Sequence, residues 1–152
     1  MVDNKGFTDF LIRAKINTYA GSATTSTAPF PNSKMLTFKD ENLVYQDVYF
    51  GMNQFAGQEV VSLDNKPIWS MVYSSQQVKN GHENEVYNFL KKALLKIPNN
   101  APYRGPSDLI DGSGLRYQNS PTGDISLFSG VESIWHEEVL LYRLHYSGGW
   151  IL

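Results

Sequence analysis

Hydrophobic and polar positions follow two rhythms along this chain, one of helices and one of strands. Phe7, Phe10, Leu11, Ala14 and Thr18 recur at three- and four-residue spacing and predict a helix from about Thr8 to Tyr19, with Asp3 or Asn4 as its cap. A stronger stripe of Val86, Phe89, Leu90, Ala93, Leu94 and Ile97 predicts a second helix over Glu83–Ile97. Glu83 and Glu85 open it, Lys91, Lys92 and Lys96 close it, and both choices suit the helix dipole. Pro98 stops it. From Leu43 to Gly51 the period falls to two: Val44, Val48 and Phe50 point one way, Tyr45, Asp47 and Tyr49 the other. Gly57–Leu63 and Ile68–Ser74 read as a hairpin across Asp64-Asn65-Lys66-Pro67. Further strands are expected at Leu115–Gln118, Ile125–Phe128, Glu132–His136 and Val139–Tyr146, with Ser120-Pro121-Thr122-Gly123 as a turn between the first two. Residues 21–34, rich in Gly, Ser, Thr, Ala and Pro, and residues 99–114 read as loops, the first a connector or a lid.

This order predicts an α+β fold for a single domain over residues 1–152: an antiparallel sheet of about six strands with two main helices on one face. A duplicated α-β-β-β unit is a candidate organisation. Residues 55–75 align without a gap on residues 128–148, so that Phe55, Gly57, Glu59, Tyr73 and Ser74 fall on Phe128, Gly130, Glu132, Tyr146 and Ser147. Phe10-Leu11-Ile12-Arg13-Ala14 resembles Phe89-Leu90-Lys91-Lys92-Ala93 upstream, which extends the repeat to residues 7–75 and 83–148. The competing reading is that two hairpins of one sheet drew similar residues independently.

Composition narrows the function classes. The formal net charge of −2 gives no electrostatic footprint for nucleic acid or an anionic membrane. There is no cysteine, so disulfide and thiol chemistry are excluded. No run approaches the roughly 20 apolar residues that span a bilayer, and the N-terminus shows no signal-peptide pattern. A cytoplasmic protein is the expectation. His82, His136 and His145 lack metal-ligand spacing, so no metal and no cofactor is expected. No nucleophile elbow, phosphate loop or dinucleotide fingerprint occurs.

The candidate chemistry lies in acids set among aromatics. Glu59 goes with Trp69 and Tyr73, and Glu132 with Tyr142 and Tyr146. An odd hairpin loop places Glu59, Val61, Trp69, Met71 and Tyr73 on one face; an even loop turns Glu59 to the other. The apolar pattern favours the odd loop. An acid on such a face forms an ion pair, borders a wet cavity or meets a ligand. Arg104, Lys15 and Lys66 are candidate cations, and the arginine fork matches a carboxylate best. Asp47, between Tyr45 and Tyr49, is either a solvent-facing strand residue or part of a third polar stripe, and Asp124 either caps its turn or extends that stripe.

A family resemblance rests on Ala14-Lys15 with Tyr19, Tyr49-Phe50-Gly51, Phe55-Ala56-Gly57-Gln58-Glu59-Val60-Val61, Lys66-Pro67-Ile68-Trp69-Ser70-Met71, Arg104-Gly105-Pro106, Gly123-Asp124 and Tyr146-Ser147-Gly148-Gly149. In these stretches the chain resembles an uncharacterised bacterial domain, domain of unknown function 5680, over nearly its whole length. The resemblance implies a stand-alone form of a module that elsewhere follows a DNA-binding helix-turn-helix, hence a sensory or ligand-binding role. Ser147 stands where the family pattern has His, so a role for that histidine does not carry over.

Together these readings lead to a small-molecule-binding module with an aromatic pocket and a central acid. Its expected ligand-binding residues are Tyr49, Glu59, Trp69, Tyr73, Arg104, Asp124, Glu132, Tyr142 and Tyr146. The alternatives are a small hydrolase or isomerase using Asp47, Glu59, Asp124 or Glu132 as acid or base, and a homodimer formed through an aromatic sheet face.

Overall fold

The computed structural model describes residues 3–19 and 24–151. Two helices and nine strands occur among them, α1 (Asn4–Tyr19), β1 (Thr24–Ser26), β2 (Lys34–Asp40), β3 (Leu43–Gly51), β4 (Phe55–Leu63), β5 (Lys66–Ser75), α2 (Glu83–Leu94), β6 (Asp108–Ile110), β7 (Leu115–Asp124), β8 (Leu127–His136) and β9 (Val139–Trp150). The strands form one sheet in the order β1-β2-β3-β4-β5-β9-β8-β7-β6, antiparallel throughout. The α+β expectation with an antiparallel sheet holds, but the sheet has nine strands instead of about six. Five strands follow α1 and four follow α2, which is not the α-β-β-β unit expected.

The apolar stripes decide which face is covered. Phe7, Phe10, Leu11 and Ala14 of α1 are buried, as are Val86, Phe89, Leu90, Ala93 and Leu94 of α2. The Asp3 carboxylate accepts a hydrogen bond from the Gly6 backbone N–H at 2.6 Å and caps α1. On the sheet, Tyr45, Val61, Trp69, Met71, Tyr117, Ile134, Tyr142 and Leu144 meet the helices, and Phe7 lies 4.5 Å from Trp150 between ring centroids.

Short elements escaped the pattern reading. Strand β1 lies in the expected 21–34 loop, of which residues 21–23 fall outside the described residues. Strand β2 carries no alternation in burial, and β6 has three residues. The expected turn at Ser120–Gly123 is strand: Pro121 pairs with Gly130 across β7 and β8. The chain reverses instead between Asp124 and Leu127.

The β4–β5 register resolves the hairpin question in an unexpected way. The turn is the even loop, with Leu63 opposite Lys66 and both Asp64 and Asn65 at positive φ (51° and 64°), as a two-residue hairpin turn requires. A bulge between Val61 and Ser62 then inserts one extra residue on β5. Beyond it Val61 faces Trp69 and Glu59 faces Met71, the alignment expected of an odd loop. The β8–β9 hairpin repeats this device, with a shift between Ile134 and Trp135.

Strands β5 and β9 meet at the middle of the sheet, where Tyr73 pairs directly with Tyr146. Each tyrosine lies across from a glycine, Tyr73 from Gly57 and Tyr146 from Gly130. A Cβ on Gly57 would stand 2.4 Å from the Tyr73 hydroxyl oxygen, and one on Gly130 2.2 Å from that of Tyr146. Gly130→Ala therefore lowers stability by about 1–3 kcal/mol, the range for overpacking a close-packed core. Urea denaturation measures it; an unchanged midpoint would mean that the Tyr146 ring moves aside freely.

Candidate functional site

Strand alternation turns Asp47, Glu59, Tyr73, Asn119, Glu132 and Tyr146 toward the helices. Among the described residues the buried charged side chains are Lys15, Asp47, Glu59, Arg104 and Glu132, which makes two cations and three carboxylates. Burial of a charge is costly unless it is paired, and the pairing here uses up both cations.

Arg104 follows α2 and reaches Glu132 with both arms of its fork, Nε to Oε2 at 3.1 Å and Nη2 to Oε1 at 2.8 Å. Glu132 also accepts hydrogen bonds from Tyr117 at 2.5 Å and Tyr142 at 2.8 Å. Burial and the Glu132 charge push the Tyr117 hydroxyl well above its usual pKa. Lys15, on the inner side of α1, donates to Glu59 Oε2 and, at 2.8 Å, to the Tyr103 carbonyl oxygen. Burial lowers its pKa, opposed by Glu59. The other oxygen, Glu59 Oε1, has no hydrogen-bond partner among the described residues, nor has Trp69 Nε1.

Asp47 is the third carboxyl. No ion pair among the described residues involves it. Its Oδ1 accepts a hydrogen bond from the Tyr73 hydroxyl at 2.7 Å. Desolvation, then the Glu59 charge facing it across β3 and β4, raises its pKa to about 7 against the pull of Tyr73, Lys15 and Arg104. It is 3 % exposed, so its solvent-facing alternative is excluded.

Asp47 forms part of the floor of a cavity of about 420 Å³. Leu36, Tyr49, Met52, Phe55, Leu90 and Leu94 supply apolar and aromatic walls, Tyr73 and Arg104 lie inside, and Lys34 and Lys91 stand at the mouth. The Arg104 guanidinium sits 5.7 Å from the Tyr73 ring centroid. The Tyr87 hydroxyl donates to the Met52 carbonyl oxygen and fixes one rim.

Of the expected ligand-binding residues, Tyr49, Tyr73 and Arg104 line this cavity. Glu59, Trp69, Glu132, Tyr142 and Tyr146 share the covered face but lie in the packed core outside the cavity lining. Asp124 is exposed in the β7–β8 turn, where hydrogen bonds from Ser126 hold its pKa below the usual carboxylate value. Lys66 opens β5 on the surface and meets neither acid. Sequence reasoning passed over Asn119, Tyr103, Tyr117, Lys34 and Lys91. A signal for two of them was present: Tyr117-x-Asn119 repeats the spacing of Tyr45-x-Asp47.

The two flanks of the β5–β9 junction carry matching polar sets. Asp47 faces Glu59 and binds the Tyr73 hydroxyl; Asn119 faces Glu132 and its Oδ1 accepts from the Tyr146 hydroxyl at 2.8 Å. The Asn119 flank is filled by the post-α2 segment: Tyr103 stacks on Phe128 at 3.7 Å, and Asn119 Nδ2 donates to the Gly105 carbonyl at 3.0 Å. The Asp47 flank holds the cavity.

A covered antiparallel sheet with a buried acid in a partly apolar cavity defines a class of module with no assigned reaction. The family model for domain of unknown function 5680 (DUF5680) matches residues 47–151, and the chain belongs to that family. The match begins at Asp47, so α1 and Lys15 lie outside it. No curated protein and no solved structure matches the chain. No helix among the described residues is long and apolar enough to cross a membrane.

Two outcomes follow from the buried charges. Glu132→Gln leaves Arg104 without its countercharge and costs about 3–5 kcal/mol in urea denaturation. For Asp47 the ordinary value of 3.8 applies unfolded and about 7 folded. Between these values the folded state holds a proton that the unfolded state has lost, so this contribution to stability falls as pH rises from about 4 to about 7, by up to ~1.4 kcal/mol per pH unit. Lys15, with its lowered pKa, acts in the opposite sense below its ordinary 10.5. The difference between native protein and Asp47→Asn isolates the first effect: the variant gains relative stability as pH rises through that window. A carbon-13 titration of the Asp47 carboxyl with a midpoint near 4 would refute the assignment.

Proposed function

We propose that the protein binds a small molecule in the cavity between β2, β3 and the ends of the two helices. One observation carries this reading: a roomy, largely apolar cavity of about 420 Å³ has on its floor a buried carboxyl with no cation of its own. Cavities of this size, with aromatic walls and few placed polar groups, are the usual make-up of ligand sites. Asp47 and Tyr73 supply the orienting polar groups, and Arg104, already committed to Glu132, stiffens the wall behind them. Lys15–Glu59 and Arg104–Glu132 read as the structural supports of the site.

A second reading has Asp47 exchange a proton with the bound molecule, as in a small hydrolase or isomerase. A carboxyl titrating near neutral pH in a cleft favours it. Glu132, saturated by three partners, and Asp124, exposed in its turn, are poorly suited to that role.

Thermal-shift screening of a metabolite library tests the binding reading. Hits are expected on the native protein and are weakened at least fivefold in Asp47→Leu or Tyr73→Phe. A library without hits, or hits indifferent to both substitutions, rejects it. Turnover of a hit, read by NMR and lost in Asp47→Asn, separates catalysis from binding alone.

A further inference from the structure

The filled flank of the sheet shows what its open counterpart lacks. Asn119 accepts one hydrogen bond, from the Tyr146 hydroxyl, and donates one, from Nδ2 to the Gly105 carbonyl. An amide is thus sufficient to hold the tyrosine. Asp47 accepts the matching bond from Tyr73, and among the described residues none takes the place of the Gly105 carbonyl. Neutral Asp47 carries one hydroxyl hydrogen as its donor, as the Asn119 amide carries its N–H. With Lys15 committed to Glu59 and Arg104 to Glu132, the neutral form is also the one that balances the buried charge.

The mouth of the cavity has the opposite character. Lys34 and Lys91 are exposed there, and neither enters an ion pair among the described residues. Lys34 pairs with Tyr49 and Leu36 with Asp47, so Lys34 stands one same-face step from Leu36, the residue directly opposite Asp47. Such a step is about 7 Å along a strand. Between floor and mouth lie Leu36, Met52, Phe55, Leu90 and Leu94.

From this arrangement we infer that the cavity takes a small anion with an apolar, ring-sized body, whose carbonyl oxygen accepts a hydrogen bond from Asp47 at the floor while its negative group lies beside Lys34 and Lys91. This rests on the binding reading above and adds the ligand's charge and its acceptor. Groups that face Asp47 are Glu59 from β4, Tyr73 from β5, Lys15 from α1 and Arg104 from the segment after α2, with Tyr49 beside it on β3. Glu59 and burial oppose ionisation of Asp47, so the donor persists to near neutral pH and binding weakens above it.

The probe is 4-acetylbenzoate, compared by calorimetry at pH 6 and pH 8 with 4-ethylbenzoate, which lacks the acceptor, with acetophenone, which lacks the charge, and with 4-acetylbenzylamine, which inverts it. On native protein 4-acetylbenzoate binds at least fivefold more tightly than each of the others at pH 6 and weakens at pH 8. Asp47→Leu removes the preference for the acetyl group, and Asp47→Asn flattens the pH profile. Lys34→Gln/Lys91→Gln, two surface changes that leave the core intact, removes the preference for the anion. Equal or tighter binding of the amine, an unaltered charge preference in the double lysine variant, or no binding of 4-acetylbenzoate at pH 6 overturns the inference. Neutral or cationic library hits that depend on Asp47 would overturn it while leaving the binding reading standing; a library without hits removes both.

Discussion

Among the described residues, five Lys, Arg, Asp and Glu side chains lie buried between the sheet and its helices, an odd number. Lys15 and Arg104 meet Glu59 and Glu132, and Asp47 is left over. A low-dielectric interior tolerates paired ions and resists a lone one, so the fifth group holds its proton well above the usual carboxylate range, up to near neutral pH. Much of the surrounding structure serves this arrangement. Lys15 ties α1 to the Tyr103 carbonyl, and the next residue, Arg104, ties the same segment to β8. A helix at one end of the chain and a strand near the other are thereby held through two adjacent residues.

Backbone irregularity is what brings these groups together. The two-residue β4–β5 turn alone would send Glu59 and Trp69 to opposite faces. The bulge beside Val61 restores them to one face, and the shift beside Ile134 does the same for Glu132 and Tyr142. Gly57 and Gly130 then leave room for the Tyr73 and Tyr146 rings to lie across the neighbouring strand, which carries their hydroxyls to Asp47 and Asn119.

These devices explain what was legible in the sequence. Helix α2 was plain because its apolar stripe, acidic start and basic end agree; its end came at Leu94, three residues before Ile97. The shared face of Glu59, Trp69 and Tyr73 was read correctly from apolar alternation, although the cause assigned to it, an odd loop, was wrong, since a bulge leaves no mark in composition. Strand β2 was missed because Lys34–Asp40 is only partly buried along its length and shows no period. For the site, the residue types were legible and their partners were not. Lys15 and Arg104 were both named as possible cations, but which carboxylate each meets depends on the helix and loop that cover the sheet. Asp47 looked like a solvent-facing strand position for the same reason: α1 and the segment around Arg104 bury it, and nothing local announces that.

The choice of cation on each flank accounts for the difference between them. Arginine offers a planar fork that satisfies both oxygens of Glu132, and Tyr117 and Tyr142 complete its shell. Lysine is a point donor; it serves Glu59 Oε2 and the Tyr103 carbonyl and leaves Glu59 Oε1 unbonded. Glu59 sits at the strand position facing Asp47, and its charge is the second cause, after desolvation, that raises the Asp47 pKa. The flank that is better satisfied is filled, and the flank that carries the unmet bond and the surplus carboxyl is open. Rules of polar satisfaction are broken in proteins mainly where a site has to do something, and here the breach and the cavity fall on the same side of the β5–β9 junction.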